Sequence, residues 1–167
     1  KVNAVLPIVG NGPVNMITDV TPEEFHLTMY LNVFSAFFTV QKVLPYMSEK
    51  SAVVLISSIA GFQGGSNNIV YNAAKAAVRS MARSFAGELA CKGIRANAIS
   101  PGPTETKGFT EFINENDEAR NGIIANIPLG HIGQPEEIAA IALFLASDEA
   151  SYVTGAEVIA DGGFTNR

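Results

Sequence analysis
The amino-acid sequence predicts an α/β fold, a doubly wound parallel sheet with helices on both faces. Three observations predict it. Residues 52–57 (AVVLIS) form a short unbroken apolar run, as in a strand buried on both sides. Such runs alternate with longer stretches of helical periodicity, and that order implies right-handed crossovers between parallel strands. Proline-initiated, acid-rich helix starts recur at Thr21-Pro22-Glu23-Glu24 and Gln134-Pro135-Glu136-Glu137.

The elements follow in order. Val2-Asn3-Ala4-Val5-Leu6 reads as the first strand, and Pro7 just after it is unusual inside a central strand. Thr21 is the N-cap of the first helix, with Pro22 at its first position and Glu24 closing a capping box. That helix runs to about Met47, with a kink near Asn32. Residues 52–57 are the second strand, followed by a loop containing Gly61, Gly64 and Gly65. An alanine-rich helix covers residues 68–91 and stops at Gly93. Residues 94–100 form a third strand, ended by Pro101-Gly102. The polar stretch 104–126 has weaker periodicity and suggests one or two short helices over the mouth of a site. The Gln134 start opens a helix through Ala146, and residues 156–160 are the last strand. No repeat, linker or low-complexity tract divides residues 1–167, which read as one α/β unit with four strands.

Composition narrows the function classes. Apolar residues make up 47% and charged residues only 16%, against roughly 25% charged in ordinary soluble domains. A surface this apolar expects cover from something else. The net charge of −5 argues against nucleic acid or an anionic membrane as a partner. The single cysteine, Cys91, allows no internal disulfide and fits a reducing, cytoplasmic setting. No apolar run comes near the roughly 18 residues of a membrane span, and the first residues lack a secretory pattern. No metal site is assigned.

The chemistry lies in residues 58–75. Ser58 is followed after twelve residues by Tyr71, and Lys75 comes one helical turn later. Four apart on a helix, Tyr71 and Lys75 project from one face. A phenol is a poor base at neutral pH, and a nearby ammonium favours its ionised form. Ser58 falls just past the carboxyl end of a strand, where open α/β sheets bind ligands. A carbonyl that accepts hydride becomes an alkoxide, which calls for a serine donor and a tyrosine acid beside it. Each feature alone is common. Strand, serine, glycine loop, then tyrosine and lysine on an alanine-rich helix is not.

With these residues the sequence resembles the short-chain dehydrogenase/reductase family along essentially its whole length. The resemblance implies a Rossmann-like sheet, of which these residues supply about four of the usual seven strands. It implies an NAD- or NADP-dependent enzyme that interconverts a secondary alcohol and a ketone. It makes Asn32, Ser58, Tyr71 and Lys75 catalytic, with Asn32 holding a water on the proton relay to the lysine. Gly10, Tyr71, Lys75, Pro101, Gly102, Thr104 and Thr106 would hold the cofactor, and Ser58, Gln63 and Tyr71 the substrate. It also implies a homo-oligomer, a tetramer or else a dimer, built on the two long helices and the last strand. Read without the family, Asn32 is equally a kinking asparagine, and Thr104 and Thr106 are surface threonines beside a Pro-Gly turn.

Two departures from the family pattern stand out. None of the fifteen glycines supplies a phosphate-cradling turn between an opening strand and a helix. Gly61-Phe62-Gln63-Gly64-Gly65 lies between serine and tyrosine and is rejected for that role. Aligned on the family, three strand–helix units, roughly 90 residues at about 30 each, are missing ahead of Lys1. Pro7-Ile8-Val9-Gly10 stands where the family shows Asn-Asn-Ala-Gly, so that only the glycine survives. Three accounts are open: part of a longer enzyme, a short chain completed by a partner, or a non-catalytic remnant that serves an interaction. The choice between NAD and NADP is read after a strand that this sequence does not contain.

Overall fold
The computed structural model describes residues 1–113 and 116–166, the side chain of Phe112 excepted. Four strands, β1 (Val2–Val5), β2 (Met47–Ile56), β3 (Arg95–Pro101) and β4 (Glu157–Ala160), form one sheet in the order β1-β2-β3-β4. Every pairing is parallel, as the alternation with helices requires. Pro7 lies beyond β1, so it removes no donor from the ladder. β2 starts earlier than its apolar run. Its register against β1 shifts between Val2 and Ala4, near Lys50, whose φ of 66° is left-handed.

Helices cover both faces. Val53, Leu55, Ala96 and Ala98 turn one way, into a core shared with Val40 of α2 (Ser35–Val43) and with Val78, Ala82 and Leu89 of α4 (Ile69–Leu89). Val54 and Ile99 turn the other way, against Ala142 and Leu145 of α7 (Pro135–Ala146). This period-two partition accounts for the unbroken apolar run of β2, since each face of the strand meets a helix. The fold is doubly wound and Rossmann-like.

The predicted first helix is three pieces. α1 (Pro22–Met29) carries the expected capping box, with Glu24 N–H donating to Thr21 Oγ1 at 3.2 Å and Thr21 N–H to Glu24 Oε2 at 3.0 Å. A π-helical turn at Tyr30–Phe34 then widens the helix before α2. The side-chain amide of Asn32 donates to the Thr28 carbonyl at 2.8 Å, the acceptor that an α-helix would give to the Asn32 backbone. The predicted kink is this turn. Taken as one helix, Pro22–Tyr46 is by length and composition long and apolar enough to cross a membrane, contrary to the expectation from the sequence. Asn32 interrupts it at full burial, and its π-turn packs against α4.

The glycine loop after β2 holds a single helical turn, α3 (Ala60–Gln63). α4 ends through the 3-10 turn Ala90–Lys92 at Gly93, as predicted. The stretch 104–126 contains α5 (Lys107–Ile113) and α6 (Asp117–Ile124), while residues 114 and 115 lie outside the described residues.

Candidate active site
Parallel strands bring their carboxyl ends to one edge of the sheet. That edge gathers Gly10 beyond β1, Ser58 beyond β2, Pro101-Gly102 at the end of β3 and Asp161 beyond β4. α4 crosses behind β2 and β3 and adds Tyr71 and Lys75.

Lys75 is 3% exposed. Its ammonium donates to the Ile56 carbonyl at 3.0 Å and sits 5.5 Å from the centre of the Tyr71 ring. Among the described residues no carboxylate forms an ion pair with it. Burial without a counter-charge disfavours the cation and lowers its pKa to about 8. Burial also pushes the Tyr71 phenol above its ordinary 10.0, and a hydrogen bond with Ser58 pulls the other way without cancelling it. The expectation that Lys75 brings the phenol toward neutrality is therefore not met here. Desolvation of the phenolate outweighs the Ser58 hydrogen bond, while the Lys75 ammonium donates to a backbone carbonyl and lies over the ring rather than at the hydroxyl. The phenol is protonated at neutral pH, the form that donates.

Asn32 is 1% exposed. Its Nδ2 donates to the Asn11 carbonyl at 2.7 Å as well as to Thr28, while its Oδ1 is buried with no hydrogen-bond partner among the described residues. The backbone of Gly10 presses on this atom: a Cβ there would collide with Asn32 Oδ1 and come within 2.8 Å of Lys75 Nζ. Gly10 thus keeps a strip of bare backbone over both polar groups. Four elements far apart in sequence bring Gly10, Asn32, Ser58, Tyr71 and Lys75 to one place.

The β3 turn meets the same site from the other side. Ile59 N–H donates to the Pro101 carbonyl at 3.1 Å, which ties the turn to the Ser58 loop. Thr104 Oγ1 donates to the Gly102 carbonyl at 3.0 Å, and Thr106 Oγ1 accepts from Phe109 N–H at 3.2 Å at the start of α5. Both hydroxyls thus have local partners and retain further capacity for hydrogen bonding. Gln63 is exposed at the end of α3.

Sequence reading missed three supports. Ser57 Oγ donates to the Lys75 carbonyl at 2.8 Å, pinning α4 to the strand beneath it. A side chain at Gly61 would meet the Lys75 carbonyl carbon at 2.9 Å, so α3 lies directly on α4. Asp161, which as a sequence is only part of a turn, buttresses the β3 end: a Cβ on Gly102 would lie 2.6 Å from the Asp161 Cβ. A glycine three residues after the serine was the one readable signal among them.

Asp161 is itself held by Thr165 Oγ1 at 2.6 Å, Thr165 N–H at 2.9 Å and Gly163 N–H at 2.9 Å. Burial pushes its carboxyl up, but these hydrogen bonds outweigh it and hold the pKa below its ordinary 3.8. A carboxylate depressed on folding stabilises the protein above its unfolded value, and that stabilisation is lost as pH falls through the folded value. Asp161→Asn is accordingly expected to lower stability by about 1–2 kcal/mol at pH 7. The deficit should shrink below pH ~4. Thermal unfolding of both proteins at the two pH values checks this, and a deficit independent of pH would refute it.

The site fits one end of a nicotinamide dinucleotide. Gly10 provides a backbone cradle, the Lys75 ammonium keeps donors beyond the one used on Ile56, and Asn32 Oδ1 offers an unused acceptor. A glycine-rich turn leading from β1 straight into a helix is not found among the described residues, where residues 6–21 separate β1 from α1.

Comparison with known proteins gives a consistent picture. A family model described as enoyl-(acyl carrier protein) reductase matches residues 1–165. The 3-oxoacyl-[acyl-carrier-protein] reductase FabG of Thermotoga maritima is 42% identical over 143 residues, covering 84% of this chain and 57% of that protein. Oxidoreductase asL5 of Sarocladium schorii is 35% identical over 165 residues, covering 98% of this chain and 66% of its own length. A crystal structure described as a putative 2-deoxy-d-gluconate 3-dehydrogenase from Agrobacterium tumefaciens, with bound NADP, superposes with a TM-score of 0.91 at 34% identity. That match covers 99% of this chain and 68% of the other. The chain thus spans between about half and two thirds of the curated relatives it matches. The chain belongs to the short-chain dehydrogenase/reductase family.

Proposed function
We propose that residues 1–167 are the catalytic and C-terminal part of a Rossmann-like domain in an NAD- or NADP-dependent oxidoreductase that interconverts a secondary alcohol and a ketone. The convergence of Gly10, Asn32, Ser58, Tyr71 and Lys75 on one sheet edge carries this reading. A bound nicotinamide dinucleotide supplies or accepts the hydride. The residues of this chain handle binding and the proton. Ser58 donates to the substrate oxygen, and the Tyr71 hydroxyl gives that oxygen its proton in reduction or takes it in oxidation. Lys75 holds the cofactor ribose and supports the tyrosine with its charge. Asn32 Oδ1 accepts from a water that passes the proton on toward solvent. Pro101, Gly102, Thr104 and Thr106 face the nicotinamide side, and Gln63 borders the substrate.

The relatives include a 3-oxoacyl-[acyl-carrier-protein] reductase and an L-rhamnose-1-dehydrogenase, names that point to different substrates, so the reaction type and not the molecule is proposed. A homo-oligomer, tetramer or dimer, fits an apolar groove of about 430 Å³ lined by Met29, Tyr30, Phe34, Phe37, Phe38 and Met81. The proposed setting is cytoplasmic.

Titration of NADH and of NADPH into the full-length protein tests the reading directly. A saturable change in nicotinamide emission with one or both is the expected result. No change with either, in protein shown to be folded, would replace this reading with a non-catalytic interaction role.

A further inference from the structure
Glu157 stands where an apolar residue would serve the fold. It completes the cross-strand row Leu55–Ala98–Glu157, whose first two members lie in the core beneath α4 with Val78 and Ala82. The third member is a carboxylate with 9% of its side chain exposed. One oxygen accepts from the buried Ser100 hydroxyl at 2.7 Å. The other accepts from Arg79 Nε at 2.9 Å and Nη2 at 2.5 Å, and Arg83 approaches it at 3.8 Å from the exposed rim.

Arg79 lies one turn beyond Lys75 on α4, and its guanidinium covers the Phe62 ring of α3 at 5.0 Å. Ser100 immediately precedes Pro101-Gly102. Glu157 therefore joins the helix that bears Tyr71 and Lys75, the end of β3, and, through Arg79, the turn that follows Ser58. Apart from Lys75, the residues that α4 buries are apolar, Val70, Ala74, Val78, Ala82, Ala86 and Leu89, whose packing has little direction along the helix axis. A guanidinium clamped on a carboxylate does have direction.

We propose that Glu157 is a positioning residue, which through Arg79 and Ser100 sets the Tyr71–Lys75 face of α4 against the strand end carrying Pro101-Gly102. The inference rests on the roles given above to Tyr71 and Lys75. A merely stabilising ion pair would behave differently, because exchanging a buried pair for apolar residues of similar volume is often neutral or stabilising.

The test uses the full-length protein with Glu157→Leu and Arg79→Met combined, beside Arg79→Lys. NMR titration of ¹³C-labelled tyrosine reports the Tyr71 hydroxyl without any substrate, its signal being assigned by its loss in Tyr71→Phe. The double variant is expected to unfold within a few degrees of the parent. Its Tyr71 midpoint should move by at least about half a pH unit. Turnover should fall at least about tenfold. Arg79→Lys keeps the charge but not the fork and should fall in between. A folded double variant with the parent's Tyr71 midpoint and turnover overturns the proposal. If the double variant does not fold, Glu157→Gln takes the same reading, and an unmoved Tyr71 midpoint there overturns it equally. Failure of the underlying reading shows separately, as full turnover in Tyr71→Phe.

Discussion

Tyr71→Phe is expected to lower turnover by roughly a thousandfold while leaving the protein folded and able to bind cofactor. The substitution removes one oxygen from a side chain that projects from α4 and meets Ser58. The ring remains to fill its place, so the loss in stability should be no more than about 1 kcal/mol. The loss in rate has a different origin. Burial raises the phenol's pKa, so the hydroxyl is a protonated donor at neutral pH, and Ser58 already holds it by a hydrogen bond. Phenylalanine leaves Ser58 in place with no group to exchange the proton. Steady-state rates and a cofactor titration on parent and variant separate the two effects. Near-normal turnover in the variant would end the assignment of Tyr71. Lost binding with lost turnover would point instead to a role in holding the cofactor.

Lys75→Met should make the protein more stable and less active. The lysine is buried with its ammonium on one backbone carbonyl, and its pKa is lowered from 10.5 to about 8. The folded protein therefore binds this proton more weakly than the unfolded chain. That difference corresponds to about 3 kcal/mol of destabilisation below pH 8, relieved as pH rises from about 8 to 10.5. Methionine keeps most of the stem and removes the charge, but it leaves the Ile56 carbonyl without its donor. A net gain of about 1–2 kcal/mol at pH 7 is expected, reversing to a net loss of about 1–2 kcal/mol near pH 10.5, where only the missing hydrogen bond to Ile56 still counts. Turnover should fall by about a hundredfold or more, because the ammonium proposed to hold the cofactor ribose is gone. Denaturant unfolding of both proteins at pH 7 and pH 10 measures the first effect. A variant less stable than the parent at pH 7 would show that the ammonium contributes more than its burial takes away. Stability given up at a functional group is the general pattern that this pair of results would exemplify.

Much of this protein was legible without coordinates. The order of strands and helices follows from short apolar runs set between helical periodicities, and the capping box of Thr21 with Glu24 and the helix start at Gln134 were both readable. Tyr71 and Lys75 fall on one helix face by spacing alone. These features are local: each is decided by residues within a turn or two of one another. Boundaries were less legible. β2 reaches back to Met47 because its early residues bond irregularly to β1, and no propensity in that segment announces it.

What the sequence by itself determined is the α/β order, the two helix starts and the tyrosine–lysine pair, since short-range periodicity and capping suffice for them. The tertiary structure alone decided that burial outweighs the Ser58 hydrogen bond in setting the Tyr71 phenol, because desolvation depends on everything packed around it. It alone placed Gly10 against Asn32 and Lys75, and Asp161 against Gly102. The bond between Arg79 and Glu157 spans 78 residues of chain, and no local pattern marks either as the other's partner. Such contacts come into being only when parallel strands align their ends and a helix is laid across them.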